Sequence, residues 1–323
     1  MLTNQIQHRS LTNTFGLIIQ GNGSKNILDL DYEEVINLFR ESGTLLFKNF
    51  GSDSDTFMKF THLYCQDFST YQGGGLRWGV LDRQAINNVE TLLTTSGHSQ
   101  GFPIELHGEM YYLKNHPTIL WFYCENPPIQ GGQTTVSDGR EIFKNLSDET
   151  KKFFQNQKIK YVRHQANGEW QTAFQTDDLS VVQKFCDRNE TKLLIDSETG
   201  AVTTEYVCSA IVKSRDGEDV FINNLLLIYI AEWAFQSGWF AENLSNMTNT
   251  SPPLVVRMED GSCIPEHIIE ELQQVCDSLT IDIQWEKGDI LMIDNTRILH
   301  GRREATASNR KIFVRMGEPI FKL

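Results

Sequence analysis

TIDIQWEKGDILMIDNTRILHGR, Thr280 to Arg302, is the stretch on which the fold turns. Its opening alternates apolar Ile281 and Ile283 with polar Asp282 and Gln284, as a strand with one buried face does. Glu286-Lys287-Gly288 makes a turn, and DILMID begins the returning strand. A histidine, His300, follows a few residues on, and RKIFVRMGEP (Arg310–Pro319) reads as a last strand. Further strands are read in GTLLFKNF (Gly43–Phe50) and in HPTILWFYCENPP (His116–Pro128), which prolines close. GGQTTVSDGR (Gly131–Arg140) then makes a loop and a short strand.

Helices lie between and before these strands. In DYEEVINLFRESG, Asp31 caps a helix and Glu34 completes a capping-box pattern. Val35, Leu38 and Phe39 share one face, and Gly43 suits the stop. Phe57, Phe60, Leu63 and Tyr64 recur at helical spacing and read as core packing. LSDETKKFFQNQ carries acids in its first turn with lysines behind, as the helix dipole prefers. NNLLLIYIAEWAF reads as helical, and Pro265 opens a helix with Ile268, Ile269, Leu272, Val275 and Cys276 on one face. Short strands with helices at the start and in inserts describe a mainly β, α+β chain: a sandwich or barrel wrapped by helices.

The bulk properties set bounds. The chain has 323 residues, 40% of them hydrophobic and 22% charged, enough for a sizeable core without metal or disulfide staples. A net charge of −13 argues against nucleic acid as a partner, because phosphate backbones are bound by Lys and Arg. The six cysteines form no CxxC pair and read as buried free thiols in a reducing compartment. No apolar signal core opens the chain, and no apolar run approaches the roughly 20 residues that span a bilayer. The expected setting is the cytoplasm, with no membrane partner.

The chemistry begins in LHGEMYY (Leu106–Tyr112). In a strand, residues i and i+2 share a face, so His107 and Glu109 would converge on one point, with Gly108 leaving room and allowing an unusual backbone angle. An isolated HxE is more often a solvated strand edge than a ligand pair. The apolar and aromatic setting, together with His300, raises the metal reading. Two histidines and one carboxylate are the facial triad of non-haem Fe(II) oxygenases, and zinc also accepts such a set. A second feature separates these readings. Thr134, in the GGQT turn, can offer a hydroxyl to a carboxylate, and the last strand supplies Arg310, Lys311 and Arg315. Alternation sets Lys311, Phe313 and Arg315 on one face of that strand, and Arg310, Ile312 and Val314 on the other.

LHGEMYY, FYCENPPIQGGQTTVSDGREIFKNL, YVRHQANGEWQTAFQTDD and KGDILMIDNTRILHGRREA followed by RKIFVR together resemble the taurine dioxygenase superfamily of Fe(II)/2-oxoglutarate-dependent oxygenases. Within it, the chain is most similar to syringomycin-type amino-acid hydroxylases of nonribosomal-peptide pathways. HxE, GGQT and DNxxxxHGR in that order carry the resemblance, which spans most of the chain.

The resemblance implies a double-stranded β-helix (jelly roll) core with flanking helices. It implies one oxygenase domain over 1–323, with a substrate-shaping insert at about 160–260. It makes His107, Glu109 and His300 the iron ligands and Thr134 a ligand of 2-oxoglutarate. It also calls for an arginine near the start of the last strand as the main partner of 2-oxoglutarate. Arg310 is favoured there; Lys311 takes the place in ungapped register, and Arg315 is available to cosubstrate or substrate. The implied cofactors are Fe(II), 2-oxoglutarate and O₂. The implied reaction is hydroxylation of an unactivated C–H of an amino acid or amino-acid-derived intermediate, free or tethered to a carrier protein, with release of succinate and CO₂. Desaturation, cyclisation or epoxidation would need the same cofactors. Glu109 argues against halogenation, which in this superfamily requires a vacated carboxylate position. A non-catalytic metabolite-binding member and a zinc hydrolase are the readings of other classes.

Overall fold

The computed structural model describes residues 6–71, 85–86, 89–95, 101–243, 252–305 and 309–323. Two of its sheets make a jelly roll. The larger orders the strands Thr44–Lys48, Ile290–Asp294, Ile119–Asn126 and Lys311–Pro319 side by side, the last three antiparallel to their neighbours. The smaller orders Ile281–Asp282, Thr134–Asp138, Ile298–Arg302 and Ile104–His107, all antiparallel. Neighbours among these strands are distant in sequence, so local alternation marks the strands while the pairing is set by the crossovers between them.

The central strands of the large sheet are buried on both faces, so they read as continuous apolar runs. Leu120, Phe122 and Cys124 face the inner core with Leu291, Ile293, Ile312, Val314 and Met316. Ile119, Trp121 and Tyr123 face the opposite way with Ile290, Met292 and Phe313, under Val35, Phe39, Phe57 and Phe60 from the two first α-helices. Those helices span Tyr32–Ser42 and Ser54–His62. The first is capped by Asp31, whose side chain accepts from the Glu34 N–H. The reciprocal half of the expected capping box does not form: Glu34 Oε1 accepts from the Ile6 N–H at 2.8 Å, because the N-terminal segment crosses that helix end.

TIDIQW is a shorter strand than its alternation suggests. Only Ile281–Asp282 joins the ladder. Beyond it the Ile283 N–H donates to the Thr134 carbonyl, and the Trp285 indole N–H donates to Thr134 Oγ1, so the chain turns inward. The later strands follow expectation, with DILMID as Ile290–Asp294 and the last strand as Lys311–Pro319.

The chain between the two halves of the jelly roll builds a further four-stranded sheet, ordered Lys192–Ile195, Val202–Cys208, Ile159–Gln165 and Leu254–Met258. Trp170, Phe174, Val182 and Cys186 pack on Val202 at one end of it. Tyr161, Leu254, Val256 and Met258 join the main core. The helix Leu225–Gln236 lies against both the His107 strand and the Leu254 strand, which docks this sheet on the jelly roll. Among the described residues, no helix is long and apolar enough to cross a membrane.

Candidate active site

The small sheet brings the two histidines together. His300 and His107 are direct cross-strand partners, and their ring centroids are 4.3 Å apart. Glu109 arrives differently from the sequence expectation. The strand ends at His107, and Glu109 lies in a turn. The unusual backbone angle falls on Met110, with φ 62°, and not on Gly108. Gly108 is required by crowding: a Cβ there would lie 2.4 Å from Tyr111 Cδ2 and 2.8 Å from Ile222 Cγ1.

One residue pins the turn. Asn295, fully buried, accepts from the Glu109 N–H through Oδ1 at 2.8 Å. Its Nδ2 donates to the Glu109 carbonyl at 3.1 Å and to the Pro117 carbonyl at 2.6 Å. The Tyr111 hydroxyl donates to the Asn295 carbonyl at 2.9 Å. The DNTR turn, whose residue follows the Ile290–Asp294 strand, therefore fixes the carboxylate arm.

His107, Glu109 and His300 are buried, and one ligand atom of each lies within 4.8 Å of the others. His300 Nε2 is 3.4 Å from Glu109 Oε2. Two ligands at right angles, each roughly 2.1 Å from a metal, stand about 3.0 Å apart, so this pair needs little adjustment. His107 Nδ1 is 2.8 Å from the Glu105 carbonyl. A carbonyl only accepts, so Nδ1 carries the proton and Nε2 keeps its lone pair, the arrangement that ligating histidines use. Both His300 ring nitrogens are buried without a hydrogen-bond partner among the described residues. Burying an imidazole that way is costly unless something else takes its lone pair. A divalent ion fits these donors.

Next to this triad is a cationic wall. Arg302 is two residues past His300 on the same strand and is the cross-strand partner of Thr134. Its Nη2 donates to the Phe102 carbonyl at 2.7 Å. Arg310 reaches the same place from the start of the last strand, with Nε to the Gly132 carbonyl at 2.7 Å, Nη1 to Thr95 Oγ1 at 2.8 Å and Nη2 to Thr134 Oγ1 at 3.2 Å. Burial and the nearby charge of Arg302 both pull the Arg310 guanidinium below its usual range. Two buried like charges are relieved when an anion joins them. Thr134 Oγ1 accepts from Arg310 and from Trp285 Nε1 at 3.1 Å. Both its acceptor sites are filled, so its hydroxyl proton is the remaining donor. Gly131 and Gly132, with φ 67° and 68°, make the turn that carries Thr134, in backbone conformations that other residues rarely adopt.

Lys311 and Arg315 are not brought to this wall. Lys311 is exposed, with Nζ 5.6 Å from the Phe313 ring. Arg315 points to the helical side of the sheet, where Nη1 donates to Thr61 Oγ1 at 2.7 Å and Nη2 to Thr91 Oγ1 at 3.2 Å, with its guanidinium 3.5 Å from the Phe68 ring centroid. The reason is strand alternation: Lys311, Phe313 and Arg315 lie on the outer face, opposite Ile312 and Val314. Asn295, Trp285 and Arg302 belong to the site without having been singled out in the sequence. For Arg302 the signal was available, since i and i+2 on the His300 strand share a face.

Comparison with known proteins adds five matches. The model of the taurine catabolism dioxygenase TauD, TfdA family matches residues 7–316. A clavaminate synthase-like protein of Arabidopsis thaliana is 26% identical over 283 residues, covering 83% of this chain and 79% of that protein. The dapdiamide synthesis protein DdaC of Enterobacter agglomerans is 21% identical over 294 residues, covering 90% and 86%. Among solved structures, PvcB of Pseudomonas aeruginosa, described as an Fe, alpha-ketoglutarate dependent oxygenase from an isonitrile synthetic pathway, superposes with a TM-score of 0.59 at 13% identity over 100% of this chain and 94% of that one. A taurine dioxygenase from Burkholderia xenovorans gives 0.55 at 13% identity, covering 97% and 89%.

Proposed function

On the premise that the chain belongs to the taurine catabolism dioxygenase TauD, TfdA family, we propose that His107, Glu109 and His300 hold its iron, and that Thr134 and Arg310 hold its 2-oxoglutarate. The protein is an Fe(II)/2-oxoglutarate-dependent dioxygenase with Fe(II) as cofactor and 2-oxoglutarate and O₂ as cosubstrates. The observation that carries the residue assignment is the convergence of three buried donors, with both His300 nitrogens lacking a hydrogen-bond partner among the described residues.

When bound, iron supplies the coupling of 2-oxoglutarate decarboxylation, to succinate and CO₂, with oxidation of a C–H bond. The chain's own residues do the rest. The Glu105 carbonyl fixes the tautomer of His107, and Asn295 holds the Glu109 turn. Arg310 and the Thr134 hydroxyl present a cation and a donor to the distal carboxylate of the cosubstrate. Arg302 adds a second positive charge to the same wall. Phe122, whose ring centroid is 5.3 Å from that of His300, keeps water from the metal side.

The proposed substrate is an amino acid or an amino-acid-derived intermediate, and the proposed outcome is hydroxylation. The names of DdaC and PvcB support that direction, one a dapdiamide synthesis protein and the other from an isonitrile pathway. The retained Glu109 supports transfer of oxygen over halogen. The whole chain works as one oxygenase domain, and the sheet of residues 159–258 forms its substrate side. The test is a screen for succinate over free amino acids and carrier-loaded aminoacyl groups, with mass spectrometry of the products. His107→Ala should abolish turnover. A Glu109→Ala variant with full hydroxylation would contradict the ligand assignment.

A further inference from the structure

The inner face of the Ile159–Gln165 strand holds an arrangement that the iron and cosubstrate do not use. Tyr161, Arg163 and Gln165 alternate onto that face and are all buried, while Lys160, Val162 and His164 are more exposed. Arg163 is 7% exposed and Gln165 9%. Gln165 Oε1 has no hydrogen-bond partner among the described residues. Nor has Oδ1 of Asn224, which is 1% exposed and opens the helix Leu225–Gln236. Buried polar atoms without partners are rare and ask for an explanation.

Tyr161, Arg163 and Asn224 adjoin the metal loop, and Gln165 follows two residues along the same strand face. The Gly108 N–H, between His107 and Glu109, donates to the Asn223 carbonyl at 3.0 Å. The next residue, Asn224, donates its N–H to the Tyr161 hydroxyl at 2.8 Å. The Arg163 guanidinium stands 4.8 Å from the ring centroid of Tyr112, three residues past Glu109, and hydrogen-bonds its side chain. A guanidinium costs much to bury, and its planar fork matches a carboxylate. An amide oxygen suits an ammonium or amide N–H.

We propose that Arg163 anchors the α-carboxylate of a free amino-acid substrate, with Asn224 Oδ1 and Gln165 Oε1 receiving its ammonium group. The assignment rests on the functional reading above and deepens it. It commits to a substrate with an unesterified carboxylate, since a carrier-tethered thioester has none to offer Arg163. The residues of the inserted sheet thus read the head of the substrate, while the small sheet presents metal and cosubstrate to its side chain.

The test uses the full chain loaded anaerobically with Fe(II) and 2-oxoglutarate. Melting temperature is measured against the twenty proteinogenic amino acids, their C-terminal amides and their pantetheine thioesters. At least one free amino acid should raise the melting temperature, and its amide and thioester should not. Arg163→Gln should weaken that binding by roughly tenfold to a hundredfold, the range for a hydrogen bond to a charged group. Arg163→Lys should recover part of the loss. Circular dichroism and the visible charge-transfer band report whether each variant is folded and loaded. If Arg163→Gln does not fold, Gln165→Leu should weaken binding of the acid without changing the band. Equal binding of acid and amide, preference for the thioester, binding by no free amino acid, or unchanged affinity in both Arg163→Gln and Gln165→Leu would overturn the proposal. Absence of the band in the unaltered protein would instead strike the functional reading on which it rests.

Discussion

Asn295→Ala removes the clamp on the metal loop and nothing else that touches the ligands. Three hydrogen bonds disappear with it: Glu109 N–H to Oδ1, and Nδ2 to the carbonyls of Glu109 and Pro117. Each leaves a buried backbone group unpaired, at roughly 1–3 kcal/mol apiece. A water can enter the space and restore part of this, so about 3–5 kcal/mol is expected. Unfolding entropy of roughly 2.1 cal/mol/K per residue over 323 residues gives about 0.7 kcal/mol/K, so the melting temperature should fall by about 4–7 °C. Loosening a ligand's support also weakens metal binding, by roughly tenfold to a hundredfold. Asn295→Asp sharpens the test. It keeps an acceptor for the Glu109 N–H but faces two carbonyls with a buried anion, so it should be at least as damaging as alanine. Calorimetry and Fe(II) titration of the three proteins read both quantities. A melting temperature within 1 °C of the parent for Asn295→Ala, at unchanged Fe(II) affinity, would refute the reasoning.

Further predictions follow from the same geometry. Gly108→Ala places a Cβ against Tyr111 and Ile222; displacing Tyr111 breaks its bond to Asn295, so Fe(II) affinity should drop, as titration would show. Arg310→Lys loses the fork that bonds Gly132, Thr95 and Thr134 and should raise the KM for 2-oxoglutarate by roughly tenfold or more, whereas Lys311→Ala should leave that KM unaltered in a succinate assay. Arg315→Gln should lower the melting temperature by loss of its bonds to Thr61 and Thr91, again with an unaltered KM for 2-oxoglutarate. Treatment with a chelator should abolish succinate formation, and Fe(II), not Zn²⁺, should restore it.

Much of this was legible in the sequence because local pattern and chemistry agreed. The apolar runs of the large sheet, the Asp31 cap and the Gly43 stop all depend on nearest neighbours. The three converging donors were legible as residue types in order, yet their local geometry was not. Strand alternation predicts that His107 and Glu109 share a face, whereas a turn brings them together, and the residue that holds the turn is 186 positions away. The last strand shows the same division. Alternation correctly separated Arg310 from Lys311 and Arg315, but which face looks on the metal depends on how the two sheets stack. Arg163 and Asn224 had no signal at all, since a buried arginine on a strand is unmarked until the fold shows what lies over it.

The central claim is that His107, Glu109 and His300 bind Fe(II) beside a 2-oxoglutarate held by Arg310 and Thr134. Anaerobic titration of the metal-free protein with Fe(II) and 2-oxoglutarate tests it most directly. The account predicts a visible metal-to-ligand charge-transfer band that saturates at one iron per chain and is lost in His107→Ala. No band with freshly prepared protein, or an undiminished band in His107→Ala, would contradict it.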